Sequence, residues 1–533
     1  MAVCVFGNLG AIGFTGPDEP RYGWIARAMA ETGDWVTPRL YGQPWFEKPI
    51  LYYWAAAAGF LLHLPAEWAA RLPSAFAALA AALIIGWLAK QHYGGALNSF
   101  SDPVLLAPSL FATSVAAIGF ARAATPDMLF SASITAAMAC VATEFRRAGV
   151  LRAAHPASAP ESRPGFLPLL LFGASLGVGV LAKGPAAVVL AGGAVGIWGV
   201  ATRDWRAALR IAHPVAVAAF CVIAIPWYAL CAARNPDFLR VFIWEHNFER
   251  YATSMFQHRQ PFWFFGPILL LALLPWTALL WPVAQEGLRL RHERSWLNSP
   301  GFFFACWVIW PVVFFSFSQS KLPGYILPAI PPLALLCATA TARAADRVFA
   351  RSFNVFAGIG LAWMVLGVAA ARARFPLWVR FGRLSIAMAL FAGFVLVLLG
   401  VALVAASYFR SPTRIMGFSV LLAAASVEVA SLVVLPAIGP AVSARFHAEF
   451  MRNDQHPERI FTYQLSRGWV YGLNFYFHRE LPEWSPSDPN AALVLTTPAG
   501  LQEMRQLGRV NGEIEQAQPG LVYAPVLPVP AAR

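Results

Sequence analysis

The chain contains four lysines, Lys48, Lys90, Lys183 and Lys321, and three of them border apolar runs in the contexts FEKP, LAKGP and SQSKLPGY. An ammonium group in such a place is a point charge suited to an anionic ligand, above all a phosphate. A single lysine there reads as a side chain snorkelling to the interface. Three of four argue for one shared anion. Acids occupy comparable positions. Glu47 precedes Lys48 in WFEKPILYYW (45–54), Asp18 and Glu19 open a helical run that ends near Gly33, and Asp127 follows Pro126 in ARAATPDM. Asp18 and Asp127 each have a plainer reading as helix N-caps. Residues 243–265 add Glu245, His246, Glu249, Arg250, His258 and Arg259. A helix over 243–251 puts His246 and Arg250 on one face. The imidazole of His246 and the carboxylate of Glu47 are ordinary ligands for a divalent ion such as zinc. Lys48, Lys183, Lys321 and Arg250 would neutralise a lipid phosphate, and Trp45, Phe46, Tyr52, Tyr53 and Trp54 would hold the interface or stack on a sugar face.

Positioning these groups falls to a membrane scaffold. The chain is 58% hydrophobic and 13% charged, where soluble proteins carry roughly 25% charge. Apolar runs at about 69–89, 103–121, 127–144, 166–182, 185–201, 211–232, 262–284, 301–318, 323–341, 353–371, 384–409 and 415–436 predict 12–13 transmembrane helices once a first span near the N-terminus is included. That first run, Ala2 to Gly16, is short, which suggests a clipped span or a start upstream. The net charge of +13 does not point to nucleic acid, because the arginines cluster between apolar runs as topology signals do. The clusters at 146–163, 203–210, 289–294, 343–351 and 410–414 fall in alternate loops, which the positive-inside rule assigns to the cytoplasm. Residues 372–383, with four arginines, lie on the other side against that rule. The same parity places Asp127, Lys183, Lys321, the loop 233–261 and everything after 437 outside. It requires Ile50–Leu64 not to cross, so this run is expected as an interfacial helix within the first outer loop, 17–68. The tail 437–533 is polar, with strand-like runs Ile460–Leu465, Ala491–Leu495 and Leu521–Val526 and a helical run Ala499–Leu507. The expected fold is an all-α polytopic membrane domain, 1–436, followed by a small C-terminal α/β domain outside the membrane. The six cysteines show no CxxC spacing, which predicts neither disulfides nor a thiolate metal site.

In order, DEPRYGWIARAMAETGDWVTPRLYGQPWFEKPILYYW (18–54), AARLPSA, ARAATPDML, LAKGP, EHNFERY, QHRQPFWFF and SKLPGYILPAIPPLAL resemble the polyprenyl-phosphate-dependent glycosyltransferases of the GT-C class. The resemblance spans roughly 14–340 and is nearest the bacterial lipid A aminoarabinose transferases, relatives of the protein O-mannosyltransferases. It implies that Asp18 and Asp127 match the family's two essential aspartates and that Glu47 and His246 match its metal ligands, with His258 a competitor for the second. It also implies that Lys48, Arg250 and Tyr325 grip the donor phosphate, with Lys183 a further cation of the same cavity. Pro20 departs from the family's pattern, where alanine or a similar residue is usual. The implied activity is transfer of a sugar such as 4-amino-4-deoxy-L-arabinose from undecaprenyl phosphate to lipid A, at the periplasmic face of the inner membrane. A protein or glycan hydroxyl is the alternative acceptor. The absence of a glycine-rich nucleotide loop agrees with a lipid-linked donor. A rival class, a flippase or transporter, would place its ionisable groups near the bilayer midplane rather than at loops on one side.

Overall fold

Alanine- and leucine-rich sequence with few breakers propagates helix, and helices dominate the computed structural model, which describes residues 2–94, 102–151, 163–249, 260–343, 346–372, 386–452, 459–488, 492–510, 515–518 and 521–526. Among these, six helices are long and apolar enough to cross a bilayer: Ala66–Tyr93, Asp127–Arg147, Phe166–Lys183, Trp205–Arg234, Pro323–Arg343 and Pro412–Val442. The runs at 103–121 and 262–284 are helical but bent, by 60° between Pro103–Ala112 and Val115–Ala121 and by 108° between Phe262–Ala272 and Trp276–Leu290. Counting each bent pair as one span gives eight. The remaining runs form the shorter apolar helices Ala186–Thr202, Pro300–Ser316, Phe353–Val368 and Gly393–Tyr408. The twelve apolar runs from residue 69 onward are therefore helical over most of their described length, but the first, Ala2 to Gly16, is helical only over Ala2–Phe6, and the expected 12–13 spans are not all long, straight helices. The first break falls where Ser114 caps a new helix by accepting from Ala117 N at 3.3 Å; the second contains Pro275, which has no N–H to offer a preceding turn. The protein is a multi-pass membrane protein. The four-arginine stretch lies, over 373–385, outside the described residues.

Long-range pairs agree with the sidedness read from the arginines. Arg210 Nη2 meets Glu144 at 2.9 Å, Asn298 donates to Val150 O at 3.3 Å, and Arg343 lies over Tyr93 at 5.2 Å. These contacts gather several of the arginine-bearing loops at one end of the bundle. Asp127 and Lys183, at the opposite ends of their helices, are ion-paired.

The first loop is built of a helix, a hairpin and a second helix. The Asp18–Thr32 helix ends at Gly33, whose φ of 71° lets its N–H return to Met29 O at 3.0 Å. Pro20 falls in the first turn, where no N–H has an intrahelical partner, so its departure from the family pattern costs the helix nothing. Strands β1 (Arg39–Leu40) and β2 (Gln43–Pro44) pair antiparallel. Leu51–Leu61 follows; its 11 residues reach only ~16 Å, too short to cross, as expected of Ile50–Leu64. It packs so closely on the next helix that a Cβ on Gly59 would sit 2.7 Å from Ala69 Cα.

A buried charge pair ties this loop to the bundle. Arg71, on the Ala66–Tyr93 helix, donates through Nε to Glu19 Oε1 at 2.9 Å and through Nη2 to Oε2 at 2.7 Å. Its remaining donors reach Leu9 O and Ile12 O at 2.7 Å and Gly13 O at 3.0 Å. Glu19 also accepts from Ala124 N at 2.8 Å and Thr15 N at 2.9 Å. The two side chains are 3% and 7% exposed. Burial alone would raise the Glu19 carboxyl; the Arg71 charge and these hydrogen bonds outweigh it and hold it below the usual value of 4.5.

Beyond the bundle, β3 (Ile460–Tyr463), β4 (Ala492–Thr496), β5 (Glu515–Gln518) and β6 (Leu521–Val526) form a sheet in the order β3-β4-β6-β5, parallel between β3 and β4 and antiparallel elsewhere. Helix Pro498–Gln506 lies where the sequence places 499–507. Helix Arg467–Phe477 docks this domain onto the first loop. Arg27 lies 4.1 Å over the Phe475 ring and donates to its carbonyl at 3.1 Å; Tyr476 OH donates to Glu67 Oε1 and accepts from Phe14 N, both at 2.7 Å.

Removing half of a fully buried pair strands the other charge, at a cost of about 3–5 kcal/mol. Glu19→Gln is expected to lower the thermal midpoint of the detergent-solubilised protein measured by tryptophan fluorescence. Because the Glu19 carboxyl is depressed in the folded state, its contribution is full above the unfolded value near 4.5 and is lost as pH falls through the folded one. The wild-type midpoint should therefore drop on acidification below that value more than the variant's does.

Candidate functional site

Five chain segments converge at the end of the bundle away from the arginine-bearing loops. Asp18 begins the first-loop helix, Glu47 and Lys48 precede Leu51–Leu61, Asp127 begins one spanning helix, Lys183 ends the next, and Tyr325 lies in the 3-10 turn Pro323–Ala329. Neither aspartate is an N-cap: Pro17 and Pro126 hold the cap positions and no side chain caps either helix. Their carboxylates make ion pairs instead. Arg21 Nη2 reaches Asp18 Oδ1 at 2.5 Å and Glu47 Oε2 at 3.0 Å, and Lys48 Nζ stands 3.8 Å from Glu47 Oε1. Lys48 also acts electrostatically on both Asp18 and Asp127. Lys183 pairs with Asp127 and lies 5.1 Å over the Tyr325 ring. Three acids and three bases thus share one cluster.

The cluster is graded in exposure. Arg21, Glu47, Lys48, Lys183 and Asp127 have side chains 10–18% exposed, whereas Asp18 keeps 54%. Although half exposed, the Asp18 carboxyl is held above its ordinary value by desolvation from the atoms packed round it; Arg21 and Lys48 oppose the shift, and Glu47 and Asp127 add to it. Asp18 borders a cavity of about 310 Å³ shared with Thr15, Arg122 and Thr125.

An apolar groove of about 370 Å³ runs beside the cluster, lined by Val115, Phe120, Ile268, Leu271, Ile326 and Ile330. Gly324 joins the two: a Cβ there would sit 2.7 Å from Phe120 and 3.1 Å from Asp127 Oδ1. The groove exists because the bend after Ala112 swings Val115–Ala121 against the Pro323–Ala329 turn.

Residues 14–242 match the family model described as dolichyl-phosphate-mannose-protein mannosyltransferase. That span holds Asp18, Glu47, Lys48, Asp127 and Lys183. Over that span the chain is similar to this family. It is 34% identical over 322 residues to the undecaprenyl phosphate-alpha-4-amino-4-deoxy-L-arabinose arabinosyl transferase of Edwardsiella ictaluri, covering 60% of this chain and 54% of the relative. It is 33% identical over 346 residues to the protein of that name in Yersinia enterocolitica, covering 65% and 58%. The chain thus spans a little over half the length of these curated relatives. The fold extends further: the crystal structure of ArnT from Cupriavidus metallidurans bound to undecaprenyl phosphate superposes with a TM-score of 0.73 over 98% of this chain and 96% of that one, at 21% identity.

The family motifs and the geometry do not coincide everywhere. Asp18, Glu47, Lys48, Asp127, Lys183 and Tyr325 come together. Arg250, like His258 and Arg259, lies outside the described residues. His246 sits in the π-helical turn Arg240–Glu249, and among the described residues no group of three or more His, Cys, Asp and Glu gathers at metal-ligand spacing. Glu47 has two cations for neighbours. Lys321 leaves the expected set: it is buried and donates to Ser318 O at 2.5 Å and Gln260 O at 3.1 Å, holding a turn rather than facing the cluster. Tyr52 and Tyr53 are each 1% exposed, so they pack the core and offer no face to a sugar. Arg21 was missed by sequence reasoning; its i+3 spacing from Asp18 was the available signal.

The Asp127–Lys183 pair predicts coupling. Lys183→Met and Asp127→Asn should each destabilise the detergent-solubilised protein, and the double variant should recover part of the loss, with a coupling of about 1–3 kcal/mol by thermal or denaturant unfolding. Additive effects would mean that the two charges do not meet.

Proposed function

We propose that the chain transfers 4-amino-4-deoxy-L-arabinose from undecaprenyl phosphate to lipid A, with its site on the periplasmic face of the bacterial inner membrane. The observation that carries this reading is the balanced cluster of Asp18, Glu47, Asp127, Arg21, Lys48 and Lys183 beside an apolar groove. The groove suits a polyprenyl chain and the cations suit its phosphate. The names of the relatives and the ligand in the Cupriavidus crystal support the same donor.

The donor's phosphodiester carries a negative charge and its sugar an ammonium. The phosphate is drawn to Lys48, with Lys183, Tyr325 and Arg250 as further ligands, while an aspartate released from its base accepts the ammonium. Asp18 is the better placed, being the most exposed of the acids. An oxygen of the lipid A phosphate attacks the anomeric carbon, the bond from that carbon to the donor phosphate oxygen breaks, and polyprenyl phosphate leaves. An ionised phosphate needs no general base. Charge accumulating on the leaving phosphate is what Lys48 stabilises, an electrostatic role that grows toward the transition state. Glu47 and His246 are the pair we propose for a divalent ion, which would supply Lewis-acid stabilisation of that phosphate; two ligands do not complete a zinc site, and no step above depends on it. The raised Asp18 carboxyl favours, as a second reading, a hydroxyl acceptor for which Asp18 is the base.

In proteoliposomes holding the lipid-linked donor and lipid A, transfer followed by mass spectrometry should yield lipid A bearing the added pentose on phosphate; a product on a hydroxyl would select the second reading. Lys48→Ala should cut the rate by roughly 10²–10³-fold, the loss seen when one charge-stabilising donor is removed, with the protein still monodisperse. Elemental analysis of the purified wild type should find a divalent metal that falls in Glu47→Gln and His246→Ala; metal content unchanged in both variants would refute that pairing. Gly324→Ala should lower transfer, because its methyl must displace Phe120 or Asp127.

A further inference from the structure

A second cleft, of about 910 Å³, opens between the first loop and the C-terminal domain. The first loop lines it with Tyr41 and Trp45 and the C-terminal domain with Tyr471, Asn474 and the exposed Glu480 and Glu483; the two sides meet where Asn474 Nδ2 donates to Tyr41 OH at 3.0 Å and the Tyr41 and Tyr471 rings lie 6.3 Å apart. No lysine or arginine is among its described lining residues. Behind it, the Arg21 guanidinium lies over the Trp45 ring at 5.3 Å and the Tyr471 ring at 5.8 Å. The same guanidinium holds Asp18 at 2.5 Å, so the cleft is one side chain removed from the charged cluster. Two N–H groups here find no acceptor among the described residues, Trp45 Nε1 and Arg21 Nε, the latter on a side chain only 10% exposed.

The geometry points to this cleft as the binding site for the carbohydrate body of the acceptor, a neutral saccharide, a role that rests on the sugar-transfer reading above. Aromatic faces on both walls suit the apolar faces of sugar rings. The exposed carboxylates of Glu480 and Glu483 accept from hydroxyls and the exposed Gln43 amide both donates and accepts, while Asn474 ties the two walls together and the two unmatched N–H groups lie sealed behind them. Two carboxylates on the rim with no cation on the walls exclude a phosphate from the cleft. The phosphate of an acceptor would therefore lie on the Arg21 side, toward Asp18, with its sugar held outside. Both walls are needed, which gives the C-terminal domain a duty beyond packing: it supplies Tyr471, Asn474 and the rim acids.

The test separates the cleft from the donor site. Full-length protein in nanodiscs is titrated with N,N′-diacetylchitobiose, a soluble neutral disaccharide, and binding is read by saturation-transfer-difference NMR. The wild type should saturate the sugar ring protons. Tyr471→Ala and the Glu480→Gln/Glu483→Gln pair should weaken binding roughly tenfold, the scale of losing one anchor residue. Tyr471→Phe, which keeps the ring, and Lys48→Ala, which alters only the donor site, should leave binding unchanged, and inorganic phosphate should not compete. No saturation in the wild type, binding indifferent to both Tyr471→Ala and the carboxylate pair, or displacement by phosphate would overturn the assignment. Protein that binds the disaccharide but transfers no aminoarabinose would sink the donor reading and leave the cleft standing. Protein that transfers but does not bind would do the reverse.

Discussion

The Glu19–Arg71 pair is the constraint on which the site depends. Taking both charges out of water is costly, and the arrangement is tolerated because almost every donor and acceptor is used. Arg71 divides its donors between Glu19 and three backbone carbonyls of the N-terminal segment, and Glu19 takes the Thr15 amide from that same segment and the Ala124 amide from another. That network fixes the rotation of the Asp18–Thr32 helix about its axis. Adjacent helical residues project about 100° apart, so with Glu19 locked inward Asp18 must point toward the cleft. The neighbouring acids of one dipeptide therefore have opposite duties: one is buried to orient the other. The Ala124 N–H, which donates to Glu19 Oε1, lies three residues before Asp127, so the same fork also sets the start of the helix that carries the second aspartate.

Much of this was legible in the sequence because it is local. Helix periodicity and the turn at Gly33 placed the first-loop helix; period-two runs placed β3, β4 and β6 within a residue or two; and the parity of the arginine loops put Asp18, Asp127 and Lys183 at one end, where the structure brings them together. The C-terminal domain was legible as α/β, but β5 was not. What failed is non-local. The cap reading of Asp18 and Asp127 used the right helix starts and the wrong partners: Asp18 is claimed by Arg21, three residues along, and Asp127 by a distant lysine. Lys183 is 56 residues from Asp127 and Arg71 is 52 from Glu19. Arg71 inside an apolar helix was a signal available to sequence reading, since an ionisable group in a spanning segment has a partner almost by default. The span count failed for another reason: hydropathy reports length along the chain and is blind to a bend, and the bends at 113–114 and 274–275 are what open the groove.

Lysine rarity pointed to the site but overcounted it. Lys48 and Lys183 face acids in the cluster, while Lys321, in an equally suggestive context, spends its charge on two carbonyls. An isolated ammonium under a turn neutralises nothing; it satisfies backbone groups that water cannot reach. Context at an apolar edge thus identifies where a lysine lies along the bundle axis, and only packing decides which way it faces.

Charge arithmetic bears on the choice of donor. Among the described residues of the cluster, Asp18, Glu47 and Asp127 against Arg21, Lys48 and Lys183 sum to zero at ordinary ionisation, so these six leave no surplus cation for an incoming phosphate. A neutral sugar on a phosphodiester would bring one uncompensated negative charge into a largely buried site, and each such charge is costly there. A donor whose sugar carries an ammonium brings both signs. Its phosphate and amine can exchange partners with an existing pair, base to phosphate and acid to amine, without changing the total. After transfer the balance breaks, because the departing polyprenyl phosphate carries more negative charge than the diester did and the amine has gone to the acceptor. On the proposed reaction, a site that is neutral when empty would bind the zwitterionic donor more readily than the anionic product, and that difference would favour release of the spent lipid.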